Sequence, residues 1–236
     1  MVRAVLFDLD DTLFDHRFAA RCSLRHFRDR HESLAAYSLE YLEQEDFRLL
    51  TEKHALVLAG TLGLEESRIQ RIQLLFARCG AEIATDQARA LAAERVEVYR
   101  RSRQPVPGAV PLLRELKRKK IQIAIVTNNF TEEQKGKLDA CGLTPLVDFL
   151  VTSEETGHVK PAPEIFQIAL QRLGCSAANA VMVGDSWEVD ILGARNAGIR
   201  AVWFNRHGAD MPDVGSVKQL SSFEPAPFAA AHILQP

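Results

Sequence analysis

Beyond Pro105-Val106-Pro107-Gly108 the chain alternates short apolar runs with amphipathic stretches, and this alternation restricts the fold more than any other feature. Ile121-Gln122-Ile123-Ala124-Ile125-Val126 reads as a buried strand, and strand-like runs follow at 147–151, 180–183 and 199–204. Residues 109–119 are amphipathic and end in Lys117-Arg118-Lys119-Lys120, which suits the negative end of a helix dipole. Thr131-Glu132-Glu133-Gln134 has the pattern of a capping box, and Gly142 would close the helix it starts. Further helices are expected at about 163–173 and 187–197, closed by Gly174 and Gly198. Strands that alternate with helices specify a parallel sheet covered on both faces.

The N-terminal half has a different character. Val2-Arg3-Ala4-Val5-Leu6-Phe7 is one more apolar run, and it ends in Asp8-Leu9-Asp10-Asp11-Thr12, a buried strand leading into a polar turn. Residues 16 to about 103 contain no proline, and their apolar residues recur at helical spacing. Ala20, Leu24, Phe27 and Leu34 form one stripe, Ile69, Ile72, Phe76 and Cys79 a second, and Ala88, Ala92, Val96 and Tyr99 a third. Thr85-Asp86 is expected to cap the last of them. The expected assembly is an α/β fold. It has a doubly wound, Rossmann-like parallel-sheet core from residues 1–14 and 105–236, with an all-helical block of four or five helices, 15–104, inserted after the first strand. The tail after about residue 215, with Pro225 and Pro227, carries no clear pattern.

A chain of 236 residues buries roughly 70–75% of its unfolded surface and needs no disulfide or structural metal to fold. Cys22, Cys79, Cys141 and Cys175 are too widely spaced for a zinc or redox motif and read as reduced thiols. The net charge of −2 gives no reason to expect a nucleic acid polymer or a membrane as partner. No run resembles a signal h-region or a membrane span, so a cytoplasmic monomer or homodimer is expected.

Three of the strand-like runs end in polar residues: the first at Asp8 and Asp10, the second at Thr127-Asn128, and the fourth at Gly184-Asp185. Ligand sites in open parallel sheets lie at the carboxyl ends of strands, so these residues can converge. Each has an ordinary reading too. An Asp-x-Asp after a strand is common turn chemistry, and Thr127-Asn128 can simply end a strand. Lys160, before Pro161, can be a surface lysine, and Ser186 and Asp190 can be helix-start residues. Carboxylates this close repel one another, however, and make sense around a cation. With Asp185 they form an oxygen-only set suited to Mg²⁺.

In order, Asp8-Leu9-Asp10-Asp11-Thr12, Thr127, Lys160-Pro161 and Gly184-Asp185-Ser186-Trp187-Glu188-Val189-Asp190 resemble the motifs of the haloacid dehalogenase-like hydrolase superfamily. The helical insertion resembles the α-helical cap of its subfamily I. The resemblance implies a mobile cap, with hinges near 14–16 and 104–107, over a site that forms an aspartyl-phosphate. Asp8 would be the nucleophile and Asp10 the general acid and base. Mg²⁺ would be held by Asp8, the backbone carbonyl of Asp10, and Asp185. Thr127 and Lys160 would bind phosphoryl oxygens, Asn128 would extend that network, and Asp190, with Ser186 beside it, would support the metal or Lys160.

Dehalogenating members lack the second aspartate of the first motif, because their leaving group needs no proton. Asp10 therefore favours phosphate chemistry on a small phosphorylated metabolite: a nucleotide, a sugar phosphate or a phosphoglycolate-like compound. Phosphomutases of the superfamily keep both aspartates and remain the alternative. A phospho-receiver would carry its accepting aspartate on a later strand, and a silent binding protein would have lost one of the chemical positions. Specificity is expected from the cap region. Phe14, His16 and Arg17 follow the first motif closely. His16 either faces the site or starts a helix, His31 reads as a satisfied core or partner-facing histidine, and Phe47 and Phe76 read as core.

Overall fold

The structure is a computed structural model that describes residues 1–210, 212 and 217–235. The chain separates into two compact units, one from Met1–Asp15 with the chain from Gln104 onward, the other His16–Arg103.

In chain order, β1 (Ala4–Phe7) belongs to the first unit, and its four side chains are fully buried. The second unit follows, with α1 (His16–Arg28), α2 (Glu32–Ala35), α3 (Leu39–Leu58), α4 (Leu64–Arg78) and α5 (Thr85–Arg101). Its core gathers Leu24, Phe27, Leu34, Leu42, Leu49, Ile69, Ile72, Phe76 and Ala88. His31 precedes α2 and sets its ring edge-on to Phe76 at 5.1 Å. Two expectations are corrected here. Phe47 is 60% exposed rather than core, because it faces outward from α3 while Leu42, Asp46 and Leu49 face in. Thr85 is the first residue of α5 rather than its cap; Ala84 is the cap and offers no side-chain hydrogen bond.

Buried charge also ties this unit together. Asp46, on α3, accepts from both terminal nitrogens of Arg95 at 2.7 and 2.5 Å and from Arg71 at 3.0 Å. Burial alone would push its carboxyl up, but the two guanidiniums overcome this and hold it below the usual carboxylate range. Its contribution to stability is therefore present above a carboxylate's unfolded pKa of about 4 and is lost only as pH falls through the lower folded value. Asp46→Ala leaves two largely buried guanidiniums without their anion. The expected cost is about 3–5 kcal/mol, measured by urea denaturation at neutral pH. A change below 1 kcal/mol would show that α3, α4 and α5 do not depend on this pair of bridges.

The first unit resumes with α6 (Ala109–Arg118), β2 (Gln122–Thr127), α7 (Thr131–Ala140), β3 (Phe149–Thr152), α8 (Ser153–Thr156), α9 (Pro163–Leu173) and β4 (Ala180–Gly184). A π-helical turn, Trp187–Leu192, runs into α10 (Gly193–Asn196), followed by β5 (Arg200–Phe204), β6 (Lys218–Leu220) and α11 (Ala226–Leu234). Among the described residues, six strands form one sheet, all pairs parallel, in the order β3-β2-β1-β4-β5-β6. The chain winds outward from β1 in one direction and then returns to wind in the other. This is the doubly wound order, with its switch point between β1 and β4. Ala4, Leu6, Ala124, Val126 and Met182 pack with Ile165, Phe166 and Ala194 of α9 and α10 on one face. On the other, α6 and α11 pack together and against β2 and β4.

The part of the tail beyond residue 215 that is described is ordered structure: β6 extends the sheet and α11 docks onto it. Arg200 donates to the carbonyls of Ile233 at 2.8 Å and Gln235 at 2.5 Å, which satisfies the end of α11. The four cysteines are free thiols. Among the described residues no helix is long and apolar enough to cross a membrane.

Candidate active site

Register places the polar strand ends together. Phe7 of β1 pairs with Ile125 of β2 on one side and Val183 of β4 on the other. Asp8 is the next residue, and its amide donates to the carbonyl of Val183 at 3.0 Å. Thr127 and Asp185 thus lie beside it, at the carboxyl edge of the three central strands. The turn after Asp8 is tight: the amides of Leu13 and Phe14 both return to the carbonyl of Leu9 at 2.9 Å. Asp11 takes the left-handed conformation (φ 59°), which aspartate tolerates better than most residues.

Lys160 is 3% exposed and bridges two carboxylates, donating to Asp8 Oδ1 and Asp190 Oδ1, each at 2.6 Å. The other oxygen of Asp190 accepts from the amide of Ser186 at 3.1 Å. The π-helical turn turns Asp190 inward, and Gly184 makes room for it, since a Cβ at 184 would collide with the Asp190 side chain. Asn128 is spent on the lysine's backbone. Its amide nitrogen donates to the Lys160 carbonyl at 2.9 Å, and its oxygen accepts from the Lys160 amide at 2.7 Å. It holds the loop that presents Lys160. Asp185 is reached by the Thr12 hydroxyl at 3.4 Å, and the Trp203 indole donates to its carbonyl at 2.8 Å.

Asp8, Asp185 and Asp190 can each offer an oxygen within 4.8 Å of the others. Burial, opposed by Lys160 and reinforced by Asp190 and Asp10, raises the Asp8 carboxyl to about 7. Burial and the charges of Asp8, Asp190 and Asp11 raise Asp185 to about 8. Burial would lower the Lys160 ammonium, yet Asp190 and Asp8 together hold it above its ordinary range. One ammonium does not neutralise three carboxylates. An all-oxygen cluster short of positive charge fits a hard divalent cation such as Mg²⁺.

The Asp10 carboxylate stands apart, held by the Lys137 ammonium at 2.6 and 2.8 Å and by the Gln134 amide at 3.1 Å. Gln134 also donates to Thr127 Oγ1 at 2.6 Å. This overturns the expected capping box. Phe130, not Thr131, is the N-cap of α7, the Thr131 hydroxyl pairs with Thr152 at 2.7 Å, and Gln134 points into the site. His16 opens α1 and hydrogen-bonds Tyr99 at 2.7 Å within the helical unit. Gln134, Lys137 and Trp203 were not among the expected site residues. The available signal was a Gln and a Lys three apart, and so on one face, of the helix that follows the strand ending in Thr127.

This arrangement defines a doubly wound α/β protein with a lysine-bridged carboxylate centre at its switch point. The profile of the haloacid dehalogenase-like hydrolase family matches residues 2–198, and the chain belongs to that family. It is 35% identical over 206 residues to a ribulose-1,5-bisphosphate 5-phosphatase of Halopiger xanaduensis, covering 87% of this chain and 85% of the relative. It is 29% identical to a glyceraldehyde 3-phosphate phosphatase of Methanothermobacter thermautotrophicus, covering 93% and 98%. Among solved structures, a magnesium-bound hydrolase of the superfamily from Bacillus subtilis superposes with a TM-score of 0.77 at 24% identity, covering 98% and 99%, which shows the shared fold.

Proposed function

We propose that this hydrolase is a phosphatase that transfers the phosphoryl group of a small sugar or triose phosphate to Asp8 and then to water. The observation that carries the reading is the separation of two carboxylates only two residues apart. Asp8 sits in the Lys160-bridged cluster, and Asp10 is anchored outside it by Lys137 and Gln134. On this reading Asp8 attacks and Asp10 moves the proton. The named substrates of the two relatives support the substrate class.

In the first half-reaction an Asp8 oxygen attacks phosphorus, the bond to the leaving oxygen breaks, and Asp10 gives that oxygen its proton. In the second, Asp10 takes a proton from water as the water attacks the same phosphorus, and Asp8 and phosphate are released. The Thr127 hydroxyl and the Lys160 ammonium donate to phosphoryl oxygens as charge builds on them. Asp8, Asp185 and the Asp10 carbonyl would hold Mg²⁺, and the bound ion would offset the negative charge of nucleophile and phosphate. Asp190 and Ser186 hold Lys160 in line, and Asn128 fixes its loop. The helical unit is assigned the choice of substrate.

The test is phosphate release from a panel of sugar phosphates, triose phosphates and nucleoside monophosphates, with Mg²⁺ and with excess chelator. Metal-dependent release that ranks a sugar or triose phosphate first is expected. Transfer of the phosphoryl group to a second position of the same sugar, without release, would make the protein a phosphomutase instead.

The carboxyl shifts add a measurable sign. Asp8 and Asp185 bind protons more tightly in the fold than at their ordinary value of 3.8. Their contribution to the metal-free protein is thus fully present below about pH 4 and is lost as pH rises through about 7 and 8. Mg²⁺ competes with those protons, so the rise in melting temperature on adding Mg²⁺ is expected to be larger at pH 8.5 than at pH 6. An equal rise at both would remove these carboxyls as the metal's ligands.

A further inference from the structure

Two side chains of α7 have partners that the reaction scheme does not explain. Gln134 is fully buried and Lys137 is 3% exposed, although lysine is almost never buried unless paired. Lys137 lies 5.2 Å from the ring centroid of Phe14 and delivers its ammonium to both oxygens of Asp10. Such an ammonium is retained only against a strong partner, and Asp10 is that partner.

Gln134 adds a directional constraint. Its amide nitrogen must face Asp10, because its oxygen there would meet a carboxylate. The same nitrogen reaches Thr127 Oγ1, so the Thr127 hydroxyl accepts from Gln134 and its own hydrogen is left to donate elsewhere. The Gln134 oxygen is buried and, among the described residues, has no hydrogen-bond partner. The amide keeps this orientation although one of its own atoms goes unsatisfied, so its two acceptors determine the orientation.

We propose that Lys137 and Gln134 are positioning residues for phosphoryl transfer. Lys137 fixes Asp10 where it exchanges a proton with the leaving oxygen and then with water, and Gln134 makes Thr127 a donor toward the phosphoryl group. The inference rests on the phosphatase reading above. It adds a specific division of labour: Lys137 acts on the proton step, Gln134 on both Asp10 and phosphate binding.

The experiment compares Lys137→Met, Lys137→Arg and Gln134→Leu with the unmodified protein on two substrates. One is the best alkyl phosphate of the panel, whose leaving alkoxide needs a proton. The other is 4-nitrophenyl phosphate, whose leaving group needs none. Lys137→Met is expected to lower kcat/KM on the alkyl phosphate, which reports the step that releases the leaving oxygen, by about 10²-fold or more, with a clearly smaller loss of kcat/KM on the aryl phosphate. The value of kcat, which includes the water step common to both, is expected to fall on both. Lys137→Arg is expected to restore part of that loss. Gln134→Leu is expected to raise KM for both substrates as well as lower kcat. Equal losses of kcat/KM on the two substrates, with no recovery in Lys137→Arg, would assign Lys137 a structural role and overturn the proposal. Full activity of Lys137→Met, with Asp8→Asn inactive, would overturn it while leaving the phosphatase reading intact. If the unmodified protein hydrolysed neither substrate, the phosphatase reading would fall first. A crystal structure of Lys137→Met then decides the positioning claim: a displaced Asp10 carboxylate supports it, and an unmoved one overturns it.

Discussion

Asp8→Asn is expected to lower kcat by on the order of 10⁴-fold or more on every substrate the protein turns over. An amide does not attack phosphorus, and no neighbouring group replaces it. Asp190 has both oxygens committed, one to Lys160 and one to the Ser186 amide. Asp10 is tied to Lys137 and Gln134, and Asp185 emerges from a different strand. The same substitution removes one of three mutually repelling carboxylates, so the metal-free fold is expected to melt no lower at pH 8.5 than the unmodified protein. Stopped-flow or end-point phosphate assays, with thermal melts in chelator, measure the two effects together. Turnover within tenfold of the unmodified protein would exclude Asp8 as the nucleophile.

Lys160→Ala is expected to damage both stability and turnover. The lysine is the shared cation of Asp8 and Asp190, and Asp190 is 1% exposed. Removing one partner of a buried ion pair leaves uncompensated charge and costs about 3–5 kcal/mol. Without the ammonium Asp8 holds its proton to still higher pH. The loss is therefore smaller at pH 6, where protonation of Asp8 relieves it, and larger at pH 8.5. Urea denaturation in chelator at the two pH values reads this directly. Turnover is expected to fall by about 10³-fold, because the donor proposed for the developing phosphoryl charge is gone as well. Lys160→Arg is not expected to recover stability. A single nitrogen lies 2.6 Å from each carboxylate, and a longer, planar guanidinium does not reproduce that shared point contact. A pH-independent loss would mean that Lys160 does not compensate Asp8.

The legibility of the sequence differs between the two levels of structure. The continuous burial of β1, β2 and β4 was readable because parallel strands covered on both faces must be apolar along their length. The helical insertion was readable from its 3.6-residue periodicity. The polar strand ends could be placed at one sheet edge because only a few connections satisfy the chirality of parallel crossovers. The misreadings share one cause. Thr131 to Gln134 looks like a capping box, and in isolation it would serve as one; in the fold Thr131 meets Thr152 and Gln134 meets Asp10. Phe47 looks like core because it is aromatic, yet α3 turns it toward solvent.

What the sequence alone determined is what local patterning dictates: the α/β class, the parallel sheet, the inserted helical block, and the identity of the residues at strand ends. What only the tertiary structure decided is which polar atoms face each other. Asn128 stands at a strand end but serves the backbone of Lys160, 32 positions away. Asp190 fits a helix start by its local pattern, and only the family resemblance tied it to the metal or Lys160; its ion pair with that lysine, 30 positions earlier, is made in the fold. Lys137, which no local pattern singles out, is buried against Asp10, 127 positions earlier. A hydrogen bond is decided over a few tenths of an ångström and by direction. Hydrophobic burial is non-directional and tolerant, so its periodicity is written along the chain, whereas polar partnership is set only when distant segments meet.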